Sequence, residues 1–128
     1  MPGTVQGESS GGLTTGSGQT VGTATTALLS LPGPATGIAC RIEGSATGYD
    51  ATNGAAVSLS KVALVRNASG TVALAGSVLD VVAALGDVAL TGASATFAVS
   101  GSNVEFRVTG VLTKTINWTA SVRFHPTL

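Results

Sequence analysis

The sequence predicts an all-β fold: an antiparallel β-sandwich or jelly-roll-like domain preceded by an extended Gly/Ser/Thr-rich N-terminal arm. Three observations carry this. Ile116, Trp118, Ala120, Val122 and Phe124 alternate with Asn117, Thr119, Ser121, Arg123 and His125. A period of two held that long marks a strand with one buried and one wetter face. Apolar runs of strand length also recur at short intervals between turn clusters, with no convincing long helix. Finally, the chain is 44% hydrophobic but only 4% aromatic, so its apolar mass is Ala, Val and some Leu. Such small side chains suit thin, closely approaching sheets, which often complete their core against a copy of themselves.

At 128 residues the chain has room for one domain and an arm. Residues 1–22 are dominated by Gly, Ser and Thr, with Val5, Leu13 and Val21 the only apolar residues after Met1. Alone, such a stretch buries too little to offset its ordering entropy. It reads as a disordered tail or as an arm ordered across a neighbouring subunit, and the arm is the reading adopted, with the β-domain beginning at residue 23 and running to 128. Thr25–Ser30 is a strand candidate closed by Pro32-Gly33-Pro34. Ile38, Cys40 and Ile42 alternate with Ala39, Arg41 and Glu43 in the next. In the run 56–66, Val57 and Leu59 share one face while Val62 and Leu64 have the opposite parity. That change implies a bulge around Ser60-Lys61 or burial of both faces. Asn67-Ala68-Ser69-Gly70 is a turn and 71–75 the return strand of a hairpin. In 77–86, Val78, Val81, Val82 and Leu85 have helical spacing, but three of them are β-branched, leaving a short helix or a loop. Ala95, Phe97 and Val99 alternate, Gly101-Ser102-Asn103 turns the chain, and Val104, Phe106 and Val108 alternate again. Pro126 is expected to end the final strand.

Charge narrows the function. Six basic and six acidic residues cancel, and charged residues are 9% of the chain against about 25% in an ordinary soluble domain. A lone monomer with so little charge is prone to associate, so much of its surface is expected to be covered by partners. No Lys/Arg stripe exists to neutralise phosphates, which argues against nucleic acid. The apolar stretch 72–90 carries Asp80 and Asp87, each costing about 2.5–3.5 kcal/mol at a bilayer centre, so no membrane span is expected. Met1-Pro2-Gly3-Thr4 leads into polar residues, so no secretory signal is expected. Asn67-Ala68-Ser69 and Asn117-Trp118-Thr119 then carry no meaning as glycosylation sequons.

No catalytic, cofactor-binding or metal-binding residues are assigned, and no enzyme activity or cofactor is expected. His125 is the single histidine and lies on the polar face of the last strand. Glu8, Glu43, Asp50, Asp80, Asp87 and Glu105 show no paired spacing. A cell-wall glycan hydrolase is the remote alternative, and would need acids such as Glu43, Asp50 and Glu105 to meet across a cleft. Glu105 and Arg107 share a strand face as a solvent-side or subunit-contact pair. Gly16-Ser17-Gly18 lacks the flanking strand and helix of a phosphate loop. Cys40, the only cysteine, falls in the apolar set and is expected buried and inert. Trp118 would stack on a sugar if exposed, but its parity places it in the core.

Several blocks carry a resemblance: Thr26-Ala27-Leu28-Leu29-Ser30-Leu31-Pro32, Arg41-Ile42-Glu43-Gly44 and Val57-Ser58-Leu59-Ser60-Lys61-Val62. So do the segments 67–77, Val104-Glu105-Phe106-Arg107-Val108-Thr109-Gly110 and Lys114 through Phe124. Over residues 23–125 the chain resembles a small β-domain of tailed-bacteriophage virion structural proteins, of head-fibre, decoration or tail-fibre-like type. It departs in its Ala/Val-rich 78–90 segment and in having a short arm where a long shaft is usual. The resemblance implies a β-sandwich associating as a homotrimer and supplies no functional residues. It implies a virion protein, made in the bacterial host cytoplasm, that acts as capsid decoration (cement) or a short head fibre. Its partners would be itself and, through residues 1–22, the major capsid protein or another virion protein. The alternative is a tail-fibre or neck component whose Asn117, Thr119, Ser121 and Arg123 touch a host glycan.

Overall fold

The computed structural model describes residues 13–125. Among them the strands are β1 (Leu13–Val21), β2 (Thr25–Pro32), β3 (Ala39–Asp50), β4 (Ala55–Ala68), β5 (Thr71–Leu74), β6 (Leu79–Gly86), β7 (Ser94–Ser100), β8 (Asn103–Thr109) and β9 (Thr115–His125), with a single 3-10 turn at Val88–Leu90. They form two antiparallel sheets. The larger runs β1-β9-β3-β4-β5, with β6 also hydrogen-bonded to β4, and the smaller runs β2-β8-β7. This is the expected all-β sandwich.

The core follows from parity. Ile116, Trp118, Ala120, Val122 and Phe124 of β9 are all buried, as are Val104, Phe106 and Val108 of β8. On β3 the inward positions are Cys40, Ile42, Gly44, Ala46, Gly48 and Asp50. The last four have small side chains or none, or, in Asp50, a polar one, so an apolar pattern stops being visible after Ile42. The structure shows why small residues sit there. A Cβ on Gly44 would lie 2.8 Å from the Phe97 ring and 3.1 Å from that of Phe106, and one on Gly48 2.8 Å from the Trp118 indole. The two phenyl rings pack at 4.8 Å between centroids, tilted by 32°. The scarce aromatic residues therefore fill a trough whose floor is β3.

The described part of the expected arm belongs to the domain itself. Leu13–Val21 pairs in unbroken register with Thr115–Arg123, from Thr115↔Val21 to Arg123↔Leu13, so the domain starts at or before residue 13 and not at 23. Residues 1–12 lie outside the described residues, as do residues 126–128, including Pro126. Two contacts fix β1. Thr20 is buried and its hydroxyl accepts the Trp118 indole N–H at 2.9 Å, in a sheet interior where that donor would otherwise have no partner. Gly16 lies against β2, where a Cβ would meet the Leu28 carbonyl oxygen and side-chain atoms of Leu29. β2 is bulged between Ala27 and Leu29, and the bulge turns Leu28 into the core.

Two further readings are resolved. β4 pairs with β3 without a register shift from Ala39↔Arg66 to Asp50↔Ala55. Ala63 and Val65 carry on the inward face begun by Val57 and Leu59, while Val62 is half-buried and Leu64 exposed on the outer face. The irregularity near Ser60-Lys61 lies on the other side, in the pairing with β6, where β6 holds the extra residues. Segment 77–86 is not a helix: Ser77 and Val78 are a connection, and Leu79–Gly86 is an edge strand. Its β-branched residues favour extended backbone; Val78, just before it, packs against the core, while all eight residues of the strand are exposed. The hairpin at 67–71 closes through Ser69 (φ 55) and Gly70 (φ 90), both left-handed, the backbone of a type I′ turn.

Replacing Thr20 by Val leaves the indole N–H buried and unpaired and should lower stability by about 1–3 kcal/mol. Thr20→Ser keeps the acceptor and should lose only about 0.8 kcal/mol, for one buried methyl. Urea unfolding of the two variants measures the difference, and equal losses would disprove a role for the hydroxyl.

Candidate interaction surfaces

The outer face of the large sheet is built by the residues that alternate with the core. Paired registers align Ser17, Thr119, Thr47 and Ser58 in one row and Thr15, Ser121, Ser45 and Ser60 in the next. Strands about 4.8 Å apart thus display a sheet of hydroxyls. A shallow groove runs along them, lined by Thr15, Ser17, Ser45, Thr47, Thr119 and Ser121. Ser45 and Ser121 hydrogen-bond across it at 3.2 Å. A third row places Gln19, Asn117 and Tyr49 side by side; Gln19 donates to Asn117 at 2.9 Å, and Tyr49 is exposed. Asn117, Thr119, Ser121 and Arg123 do share this face, as their parity requires.

At the far end the face becomes charged. Arg41 pairs with Glu43 at 2.8 Å, and His125 stands 3.8 Å from the same carboxylate. On the opposite side of the sandwich Glu105 and Arg107 pair at 2.8 Å on the smaller sheet. The acids considered for hydrolysis are therefore dispersed. Glu43 and Glu105 lie on opposite outer faces, and Asp50 is buried at the end of β3. Glu8 lies outside the described residues.

Asp50 holds the β3–β4 turn. Its carboxylate accepts from the Asn53 amide at 2.6 Å and from the Thr52 backbone N–H at 3.0 Å. The Asn53 side chain first, then the Thr52 and Asn53 backbone N–H groups and the Lys114 charge, hold its pKa below the ordinary aspartate value against the opposing effect of burial. Cys40 is buried, and desolvation raises its thiol pKa, which suits an inert core residue.

The third surface is β6. Leu79, Val81, Val82 and Leu85 are 61%, 46%, 52% and 63% exposed, and Val88 just beyond is 89% exposed. Asp80 is tied to Lys61, and the Asp87 carboxylate accepts the Ala56 backbone N–H at 2.8 Å. Sequence reasoning missed this surface because the same run of apolar residues fits a helix with one buried stripe. Its sequence signal was the β-branched content of Val78, Val81 and Val82, which favours extended backbone.

No protein-family model matches the chain, and no curated protein matches it in sequence. Among solved structures it is similar to the tailspike protein of Acinetobacter baumannii phage AM24, with a TM-score of 0.47 and 12% identity over 86% of this chain. The chain spans 26% of that tailspike's length. This is a distant likeness and defines no family.

Because Asp50 has a depressed pKa when folded, its contribution to stability is complete above the unfolded-state pKa. It is lost as pH falls through the folded-state value. Asp50→Asn should therefore reduce the drop in melting temperature between about pH 7 and an acid pH below the ordinary aspartate value of about 3.9. Thermal denaturation at both pH values tests this, and an unchanged drop would assign acid sensitivity to other groups.

Proposed function

We propose that the chain is a non-enzymatic structural module of a tailed-phage virion that self-assembles as a homotrimer, in the manner of a capsid decoration or short head-fibre protein. One observation carries the self-assembly. The core is formed without them, yet ten large hydrophobic side chains remain exposed among the described residues, five of them between Leu79 and Val88, on a chain with 9% charged residues. Contiguous apolar surface rimmed by polar residues marks an interaction site. The sequence resemblance supports the virion setting. Symmetric attachment to a shell would add avidity without new kinds of contact. Attachment to the major capsid protein or another virion protein, first read onto residues 1–22, belongs to residues 1–12 in this proposal, because β1 is committed to the sheet.

Light scattering on the full chain should give the mass of three copies. Deleting residues 1–12 should leave that mass unchanged while abolishing binding to phage heads that lack the protein. Deleting residues 1–22 removes β1 and Thr20 and should unfold the domain, so it cannot serve as the anchor test. A folded monomer at micromolar concentration would end the self-assembly reading.

A tail-fibre or neck role with glycan contact is the second reading. It is favoured by the exposed Tyr49 beside the Gln19–Asn117 amide pair and the uncharged hydroxyl rows. An exposed aromatic ring with amides and hydroxyls around it matches the mixed apolar and polar faces of a sugar. Tyr49→Ala should then weaken adsorption to host polysaccharide at least tenfold, about 1.4 kcal/mol, in a pull-down titration. No adsorption by the unaltered protein would remove this reading.

A further inference from the structure

We propose that the outer face of the large sheet binds an acidic polysaccharide, one whose carboxylates are separated by neutral sugars. This rests on the glycan-contact reading and names its ligand class. The hydroxyl groove does not end with its Ser and Thr rows. It continues along β9 into a second depression that shares Ser45 and Ser121 with it and adds Glu43, Arg123, Leu13 and Val81. From Asn117 to Arg123 the outward side chains of β9 extend over about 20 Å, room for several sugar units in a row. Each end offers an apolar contact for the C–H face of a ring: the exposed Tyr49 at one, Leu13 and Val81 at the other. Between them stand hydroxyls, which both donate and accept.

Charge decides which sugars fit. At the Arg123 end, the outward residues of β3, β4 and β9 include Arg41, Arg66 and Arg123 against one carboxylate, Glu43. The whole chain is neutral, so this end carries positive charge that the rest of the molecule balances. Glu43 stands opposite Arg123 in the register, yet its carboxylate is engaged by Arg41 at 2.8 Å and lies 3.8 Å from His125. Asp80 of β6 is tied to Lys61. Arg123 is exposed, lines the groove and makes no ion pair among the described residues. A planar guanidinium takes a carboxylate through two parallel hydrogen bonds. The rest of the groove, along Thr15, Ser17, Thr47 and Thr119, is lined without charge. A strand with a phosphate on every unit would leave most of its charges unmatched there. Carboxylates spaced by neutral sugars suit a groove that is charged at one end only.

The test uses the full chain and oligosaccharide fragments of hyaluronate and of gellan, in which neutral sugars separate the carboxylates. Calorimetric titration should show binding that weakens as sodium chloride is raised. Affinity should fall at least tenfold once the carboxyls of the fragments are reduced to alcohols, a comparison that needs no variant. Arg123→Gln should weaken binding of the acidic fragments at least tenfold and leave the reduced ones unchanged. Arg107→Gln removes the same charge from the opposite face of the sandwich and should leave both unchanged. Circular dichroism should show the same fold in each variant. Reduced fragments that bind as tightly as acidic ones overturn the acidic class and leave glycan contact standing. Equal losses in the two arginine variants overturn the groove in favour of non-specific attraction of a polyanion. A thymidine oligonucleotide that binds as tightly as the fragments overturns the sugar. If no fragment binds, this inference falls, and adsorption to host polysaccharide decides separately whether glycan contact survives.

Discussion

The sandwich depends on a strand that gives way. Along β3 the inner positions Gly44, Ala46 and Gly48 have little or no side chain, and Phe97, Phe106 and Trp118 occupy the space above them. With few aromatic residues, the core cannot spread them evenly. It gathers them over one floor, where each ring makes contacts on its full face. Any larger side chain at Gly44 or Gly48 would push against a ring with no free volume behind it, because interiors are packed near crystal density. The position of Trp118 in turn fixes β1, whose Thr20 supplies the acceptor for the indole N–H, and β1 closes the sandwich by lying against β2 at Gly16.

That closure is one-sided. At the β1–β2 edge the two sheets meet backbone to side chain, and the strands there shield each other. At the other edge β4 is shared between the short β5 and the bulged β6, and the chain crosses to the smaller sheet through Val88–Leu90. Leu90 is buried and anchors the crossing, while Val88, two residues earlier, is the most exposed of the large hydrophobic residues among those described. The few charges do not offset this exposure, because half of the chain's twelve are paired locally: Arg41 with Glu43, Lys61 with Asp80, Arg107 with Glu105. Exposed pairs of this kind stabilise little, typically up to about 1 kcal/mol, but they leave few free charges to keep copies apart.

Much of the architecture was legible in the chain because alternation reports burial directly. The parity of β8 and β9 assigned every core residue on those strands, and Asn67–Gly70 announced the β4–β5 hairpin through its turn chemistry. The reading failed where the local pattern was silent or served two purposes. Gly44, Ala46 and Gly48 alternate in size rather than polarity, so the second half of β3 left no apolar trace. Leu13–Val21 is polar because its outer face is solvent-exposed and its inner face must be small against β2, and that composition is shared with a disordered tail. Segment 77–86 carried helical spacing, of which only Val78 packs against the core while Val81, Val82 and Leu85 stay exposed.

The sequence by itself therefore determined the fold class, the turns, the inward face of the strongly alternating strands and the poverty of charge. These are local properties, set by a period of two and by residue chemistry. The tertiary structure alone decided which strands are neighbours, which edge is left open and what each polar residue is for. Thr20 and Trp118 are 98 residues apart in the chain. Whether Thr20 belongs to an arm or to a core depends on a pairing that no local window contains. The same holds for β6: its side chains are apolar in the sequence, but only the completed sandwich shows that none of them is needed inside.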